Sequence, residues 1–72
     1  MVTDICARVG RRIRALRTQR GWTQAMLADH AELTREHISA LETGRAEIGL
    51  RALERIALVL ETKLARFFEE LD

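Results

Sequence analysis

Ile5, Val9, Ile13 and Leu16 stand four, four and three residues apart, a spacing that puts all four on one stripe of a helix. Arg11 and Arg14 fall opposite that stripe, and Arg8 and Arg17 flank it. Asp4 or Thr3 can cap the start of this helix, and Gly21 marks its end. A second helix is expected from Thr23, an N-cap residue, with Trp22 before it and Leu27 inside it placed as a hydrophobic staple. The same arrangement returns at Thr34, with Leu33 before it and Ile38 inside. Two stapled starts so close together predict two short helices at a steep angle, with the chain re-aimed around residues 31–33.

A fourth helix is expected from about Gly49 or Leu50 to Leu60. Its apolar positions Leu50, Leu53, Ile56, Ala57, Leu58, Val59 and Leu60 predict burial on most sides. Residues 63–71 are expected to form a last short helix with Leu64, Phe67, Phe68 and Leu71 on one face. The pattern as a whole predicts an all-α, compact five-helix bundle over residues 1–72, a single domain without a linker or internal repeat beyond the paired caps.

Composition agrees with that pattern. The 72 residues bound the chain to one domain near the lower limit for a self-sufficient core. Absence of proline, four glycines and a 47% hydrophobic content favour helices, and valine and isoleucine are too sparse for a sheet. A lone cysteine, Cys6, has no internal disulfide partner, which makes a reducing cytoplasm the expected setting. No apolar run approaches the roughly 20 residues of a membrane span, and no signal-peptide pattern opens the chain.

Charge changes the picture once it is divided along the chain. The net charge is only +1, but residues 1–24 carry six arginines against Asp4 alone, a net of +5. Residues 61–72 carry Lys63 and Arg66 against Glu61, Glu69, Glu70 and Asp72, a net of −2. A basic pole on a nearly neutral protein suits a polyanion on one side.

The third helix carries the most telling surface. Ile38 and Leu41 define its buried side, so Glu36, Ser39, Ala40 and Thr43 point away, with Arg35 at the free N-terminal edge. A merely solvated face would collect Lys, Glu and Gln. This one is small and mixed, and such a face can lie against base edges: Arg can read guanine, Glu can accept from cytosine N4, and an Ala or Thr methyl can touch thymine. Competing chemistries find no support. Cys6, His30 and His37 are the only soft ligands and lack zinc spacing, so neither a metal nor another cofactor is expected. There is no phosphate-binding glycine loop, nucleophile elbow or carboxylate pair in a cleft, and a chain this small leaves little room for a substrate pocket. An enzyme is therefore not expected.

The stretch RRIRALRTQRGWTQAMLADHAELTREHISALETGR, continued by LRALERIALVL and LARFF, resembles the phage-repressor-like (Xre-type) helix-turn-helix family over roughly residues 9–68. The resemblance implies a lambda-repressor-like fold in which residues 24–31 support a recognition helix over 35–43. Arg35, Glu36, Ser39 and Ala40 would then face bases in the major groove of double-stranded DNA. Gln24, Thr34, Arg17, Thr43 and Arg45 would meet the phosphates, in keeping with the anion preference of helix N-termini. Family members also pair the positions of Arg17 and Glu42 between the first and third helices, so a partly buried ion pair is expected there.

Three positions depart from the family pattern. Glu32 occupies the turn position usually taken by glycine, where a positive φ would carry strain of about 1 kcal/mol. Ile48 replaces a common proline. Glu61 stands where glycine often ends the fourth helix, so the last two helices are expected to join differently.

The function these features imply is a sequence-specific transcriptional regulator acting as a homodimer on a (pseudo)palindromic operator, either a restriction–modification controller or a short repressor. RNA polymerase is a further candidate partner, and no membrane is expected. Residues 50–72 would contribute the dimer interface through Leu58, Ala65, Phe67 and Leu71, because two adjacent phenylalanines do not easily both enter one small core. The alternative is an antitoxin-like module whose main ligand is another protein. Such antitoxins usually add a toxin-binding segment, and none is evident in the sequence.

Overall fold

Helices in this protein begin where a side chain can accept the first free backbone N–H groups. In the computed structural model, which describes residues 4–69, Asp4 accepts from the Cys6 N–H at 3.0 Å and opens α1 (Ile5–Gln19). Thr23 accepts from the Met26 N–H and opens α2 (Gln24–Ala31), and Thr34 accepts from the His37 N–H and opens α3 (Arg35–Glu42), both at 3.0 Å. Only α4 (Leu50–Val59) starts without a side-chain cap, behind Gly49. The Asp4 and double-threonine starts are those the sequence predicts. Thr3, the alternative cap, lies outside the described residues.

All four helices end in the same way. One residue past α2, and two past each of the others, the chain takes the left-handed conformation: Gly21 at φ 76°, Glu32 at 59°, Gly44 at 74° and Glu61 at 54°. In each case the N–H of the next residue reaches back to a carbonyl five positions earlier: Trp22 to Arg17, Leu33 to Ala28, Arg45 to Ala40, and Thr62 to Ala57. This is the Schellman arrangement, which satisfies carbonyls that the helix leaves open. Two glutamates thus sit where glycine would be unstrained, as the departure at Glu32 leads one to expect. Glu61 behaves the same way.

The fifth element differs from the expectation. Residues 64–68 form a 3-10 turn (Leu64–Phe68), not an α-helix over 63–71, so the fold has four helices and a turn. Extended backbone at Lys63 and Glu69 bounds it, leaving room only for tight bonds such as Arg66 N–H to the Lys63 carbonyl at 3.0 Å. A segment this short cannot offset helix nucleation by propagation, and 3-10 geometry is the usual outcome. Leu71 lies outside the described residues.

One core unites these elements. Val9, Ile13 and Leu16 of α1 meet Leu27, Ala28 and Ala31 of α2, Ile38 and Leu41 of α3, and Leu53, Ile56, Ala57 and Leu60 of the α4 region. Phe67 plugs it from the 3-10 turn and is 1% exposed. Each of the larger side chains buried here contributes roughly 1.5–3 kcal/mol. Two expectations are corrected by this packing. Phe67 belongs to the core of the chain, not to a surface that a second copy could cover; its neighbour Phe68, half exposed, points outward instead. And α4 is buried on one face only, leaving Leu50 at 84% and Leu58 at 69% exposure.

The approach of α1 to α3 rests on Gly10. A Cβ there would collide with the carbonyl oxygen of Leu41, so the two backbones touch where any other residue would hold them apart. A glycine inside a helix costs up to about 1 kcal/mol relative to alanine, and here the close crossing is what it gains.

Candidate nucleic-acid interface

The orientation of α3 is set by a buried polar junction among three helices. Arg17 of α1 donates through Nε to Glu42 Oε2 at 2.6 Å and through Nη2 to Glu42 Oε1 at 3.0 Å. Its Nη1 donates to the Trp22 carbonyl at 2.7 Å. Gln24, the first residue of α2, donates from Nε2 to Glu42 Oε1 at 3.1 Å. Arg17 and Glu42 are 8% and 5% exposed. The pair expected from the sequence is therefore present, and it is buried more deeply than a surface bridge. A bidentate Arg–carboxylate pair fixes angle as well as distance, because the planar guanidinium fork matches the carboxylate only in plane. Glu42 closes the last turn of α3, so the junction holds that helix against α1 and the start of α2.

This junction engages two residues that the family resemblance assigns to phosphate. Arg17 directs all three guanidinium nitrogens at partners within the protein. Gln24 is half-buried and commits one amide hydrogen to Glu42. Arg17 lies inside the corner of three helices, and Gln24 stands half-buried at its edge.

Outward from the junction, α3 presents the mixed face anticipated from its periodicity. Arg35 and Glu36 project at its N-terminal end, with side chains 58% and 79% exposed and a loose 3.7 Å contact between them. An exposed pair of this kind contributes little to stability, so both groups remain available. Ser39 and Ala40 follow, half-buried, one turn further along. Thr34 is exposed at the cap. At the far end, Thr43 Oγ1 donates to the Ser39 carbonyl at 2.9 Å and accepts from Arg45 Nε at 2.8 Å. Arg45 Nη2 reaches Ser39 Oγ at 3.4 Å. Arg45 therefore lies back along the outer face of α3 rather than standing off from it, which the sequence does not reveal.

Sequence reasoning also missed a stacked group on the flank of α2. The His30 and Trp22 rings stack at 4.6 Å and 15°, and the Arg20 guanidinium lies 4.9 Å from the Trp22 ring centre. Arg20 additionally donates to the Leu60 carbonyl at 3.1 Å, tying the end of α1 to the end of α4. Trp22 precedes the N-cap of α2 and His30 sits in its last turn, so no helical spacing pairs them, and only the folded chain brings the rings together. Among the described residues no group of three His, Cys, Asp or Glu side chains gathers to hold a metal, and no helix is long and apolar enough to cross a membrane.

Two short capped helices joined by a left-handed residue, the second braced by a buried ion pair and showing a small mixed face, define a helix-turn-helix unit. A helix-turn-helix family model matches residues 13–67, and the chain belongs to this phage-repressor-like (Xre-type) family. It is 35% identical over 60 residues to the competence pilus inhibition repressor of Acinetobacter baylyi, a match covering 83% of this chain and 54% of the relative. It is 36% identical over 62 residues to the immunity repressor protein of Bacillus phage phi105, covering 86% and 43%. The chain thus spans about half the length of the curated relatives it matches. Among solved structures, the restriction-modification controller protein C.AhdI from Aeromonas hydrophila superposes with a TM-score of 0.85 at 28% identity, covering 88% of this chain and 96% of that one.

Proposed function

We propose that this chain is a sequence-specific transcriptional regulator that binds double-stranded DNA, with α3 in the major groove and two copies on a (pseudo)palindromic operator. The observation that carries the reading is the exposed face of Arg35, Glu36, Ser39 and Ala40 on a helix held by the buried Arg17–Glu42–Gln24 junction. Base readout needs donors and acceptors held at fixed angles, and that bracing supplies them. Arg35 and Glu36 read base edges, and Ser39 and Ala40 fit against them. Thr34, Thr43 and Arg45 meet phosphates at the two ends of the helix. Arg17 and Gln24 act as positioning residues through Glu42. The kinship with repressors and the near full-length match to a controller protein support a short repressor or a restriction–modification controller working in the cytoplasm, and neither is an enzyme.

Dimerisation follows from the size of the site. One recognition helix covers a few base pairs, so specificity calls for two half-sites about 34 Å apart. Leu50 and Leu58 lie along one side of α4, and Leu64, Ala65 and Phe68 are exposed on the adjoining turn. With Phe67 in the core, this apolar surface is the one on which two copies meet in the isologous contact of a symmetric dimer. An antitoxin-like role would use the same surface for a different protein.

Binding-site selection on random duplexes, repeated with Arg35→Ala and Glu36→Ala, tests the assignment. Each substitution is expected to relax preference at particular operator positions, at about 1–3 kcal/mol per position. Equal losses on selected and random DNA would overturn the recognition-helix role. Sedimentation of the wild type and of Leu58→Glu and Phe68→Glu tests the dimer, which a wild type monomeric at tens of micromolar would exclude.

A further inference from the structure

The proposed interface leaves unused the most strongly charged surface of the molecule. Between Ile5 and Gln19, α1 holds five arginines and no acidic residue. Arg17 pairs with Glu42, and Arg12 is buried with its Nη2 near the Glu69 carbonyl. Arg11 and Arg14 are different: both are exposed, and among the described residues neither guanidinium has an ion-pair or hydrogen-bond partner. Arg8, Arg11 and Arg14 follow one another at three-residue steps, so each faces a like charge across a turn of helix. Such a row, with no acid in the helix to offset it, raises the positive potential along that side and favours an anion from outside.

The packing shows which way this row looks. Ala7, Arg11, Arg14 and Thr18 stand four, three and four residues apart and share one stripe of α1. Gly44, at φ 74°, lies directly against the first of them: a Cβ on Gly44 would sit 2.8 Å from the Ala7 Cα. Arg45 follows Gly44 and turns back over Thr43 and Ser39 on the outer face of α3. Arg11 is therefore one helical turn, about 6 Å, along α1 from the point where the loop after α3 touches it, and Arg14 about 10 Å.

We infer that Arg11 and Arg14 continue the strip begun by Arg45, and that the strip takes the phosphate backbone of duplex DNA beyond the base pairs read by α3. This rests on the proposed DNA-binding role. Phosphate spacing suits such a row, since arginines at successive turns of a helix can each meet a separate phosphate, and the contact needs no base sequence. The strip adds affinity and a requirement for flanking duplex, and leaves base preference to Arg35 and Glu36.

The test compares the full chain with an R11A/R14A double variant and an R11K/R14K control. The probes are a duplex recovered by selection and a scrambled duplex of equal length, each with short and long flanks, over a series of salt concentrations. Loss of two phosphate contacts is expected to lower the slope of log affinity against log salt by about 1.8, so the wild type's advantage shrinks roughly tenfold between 50 and 200 mM salt. The change should be equal on both duplexes, vanish on short flanks, and be largely restored by lysine, while the selected sequence stays the same. An unchanged slope in the alanine variant would overturn the inference and leave the row to an acidic protein partner. A wild type with no preference for any duplex would overturn the DNA-regulator reading instead, a separate outcome.

Discussion

The pair α2–α3 and the pair formed by α4 and the 3-10 turn are built alike yet expose opposite kinds of surface. Each joins two short elements through a glutamate in the left-handed conformation, Glu32 in one and Glu61 in the other. In the first pair the second element is capped by Thr34 and braced by Glu42 against Arg17 and Gln24. In the second, neither α4 nor the turn has a side-chain cap, and the turn is held by one buried side chain, Phe67. Of the large apolar side chains exposed among the described residues, α2 and α3 contribute Met26, whereas the second pair contributes Leu50, Leu58, Leu64 and Phe68. The difference follows from the physics of the two surfaces. Hydrogen bonding to a ligand depends on angle, so a polar reading face must be rigidly aimed. Apolar association is non-directional and scales with area, so the other face needs exposure more than bracing.

Removing Glu42 would break this contrast most severely. Glu42→Ala leaves the Arg17 guanidinium buried without its carboxylate, and a loss of about 3–5 kcal/mol in urea unfolding is expected. A double-mutant cycle with Arg17→Met should show strong coupling, and additive losses would mean that the junction does not brace α3. DNA affinity is expected to fall with stability here, because the same junction sets the angle of α3.

The adjacent phenylalanines sharpen the contrast within the second pair. Phe67→Ala opens a cavity in the core and should cost about 3 kcal/mol, the lower end for a buried phenylalanine because the turn is peripheral. Phe68→Ala should change the unfolding free energy of the dilute protein by no more than about 0.5 kcal/mol. Its effect is expected on self-association, read by sedimentation at rising concentration. Equal destabilisation by both variants would mean that Phe68, too, serves the core.

The smallest expected effect compares the two turns directly. Glu32→Gly and Glu61→Gly both relieve a left-handed non-glycine residue, a gain of about 1 kcal/mol partly offset by the greater freedom of glycine in the unfolded chain. Thermal unfolding should show a small rise for Glu32→Gly. The rise should be smaller for Glu61→Gly, because Glu61 Oε1 also accepts from Arg20 at 3.4 Å, an exposed contact of little strength. A clear loss at either position would show that the glutamate side chain does more than occupy the turn.

What the sequence by itself determined was local. The threonine caps, the apolar stripes of α1 and α3, the outward set Arg35, Glu36, Ser39 and Ala40, and the helix-turn-helix unit all follow from spacings of three and four residues, which a helix converts into faces without help from the rest of the chain. The positive φ at Glu32 was legible too, because the family pattern places a glycine there. The Arg17–Glu42 pair was legible only through that resemblance, since the two residues are 25 positions apart. Tertiary structure decided the rest. Which of Phe67 and Phe68 turned inward was decided by packing, with Phe67 in the core at 1% exposure and Phe68 left half exposed. Periodicity marked Leu50 and Leu58 as apolar but could not say that the fold would leave them 84% and 69% exposed. Gly10 gained its purpose only when α1 crossed α3. A period assigns residues to faces, whereas the neighbour of each face is chosen by contacts between distant segments, which no local spacing encodes.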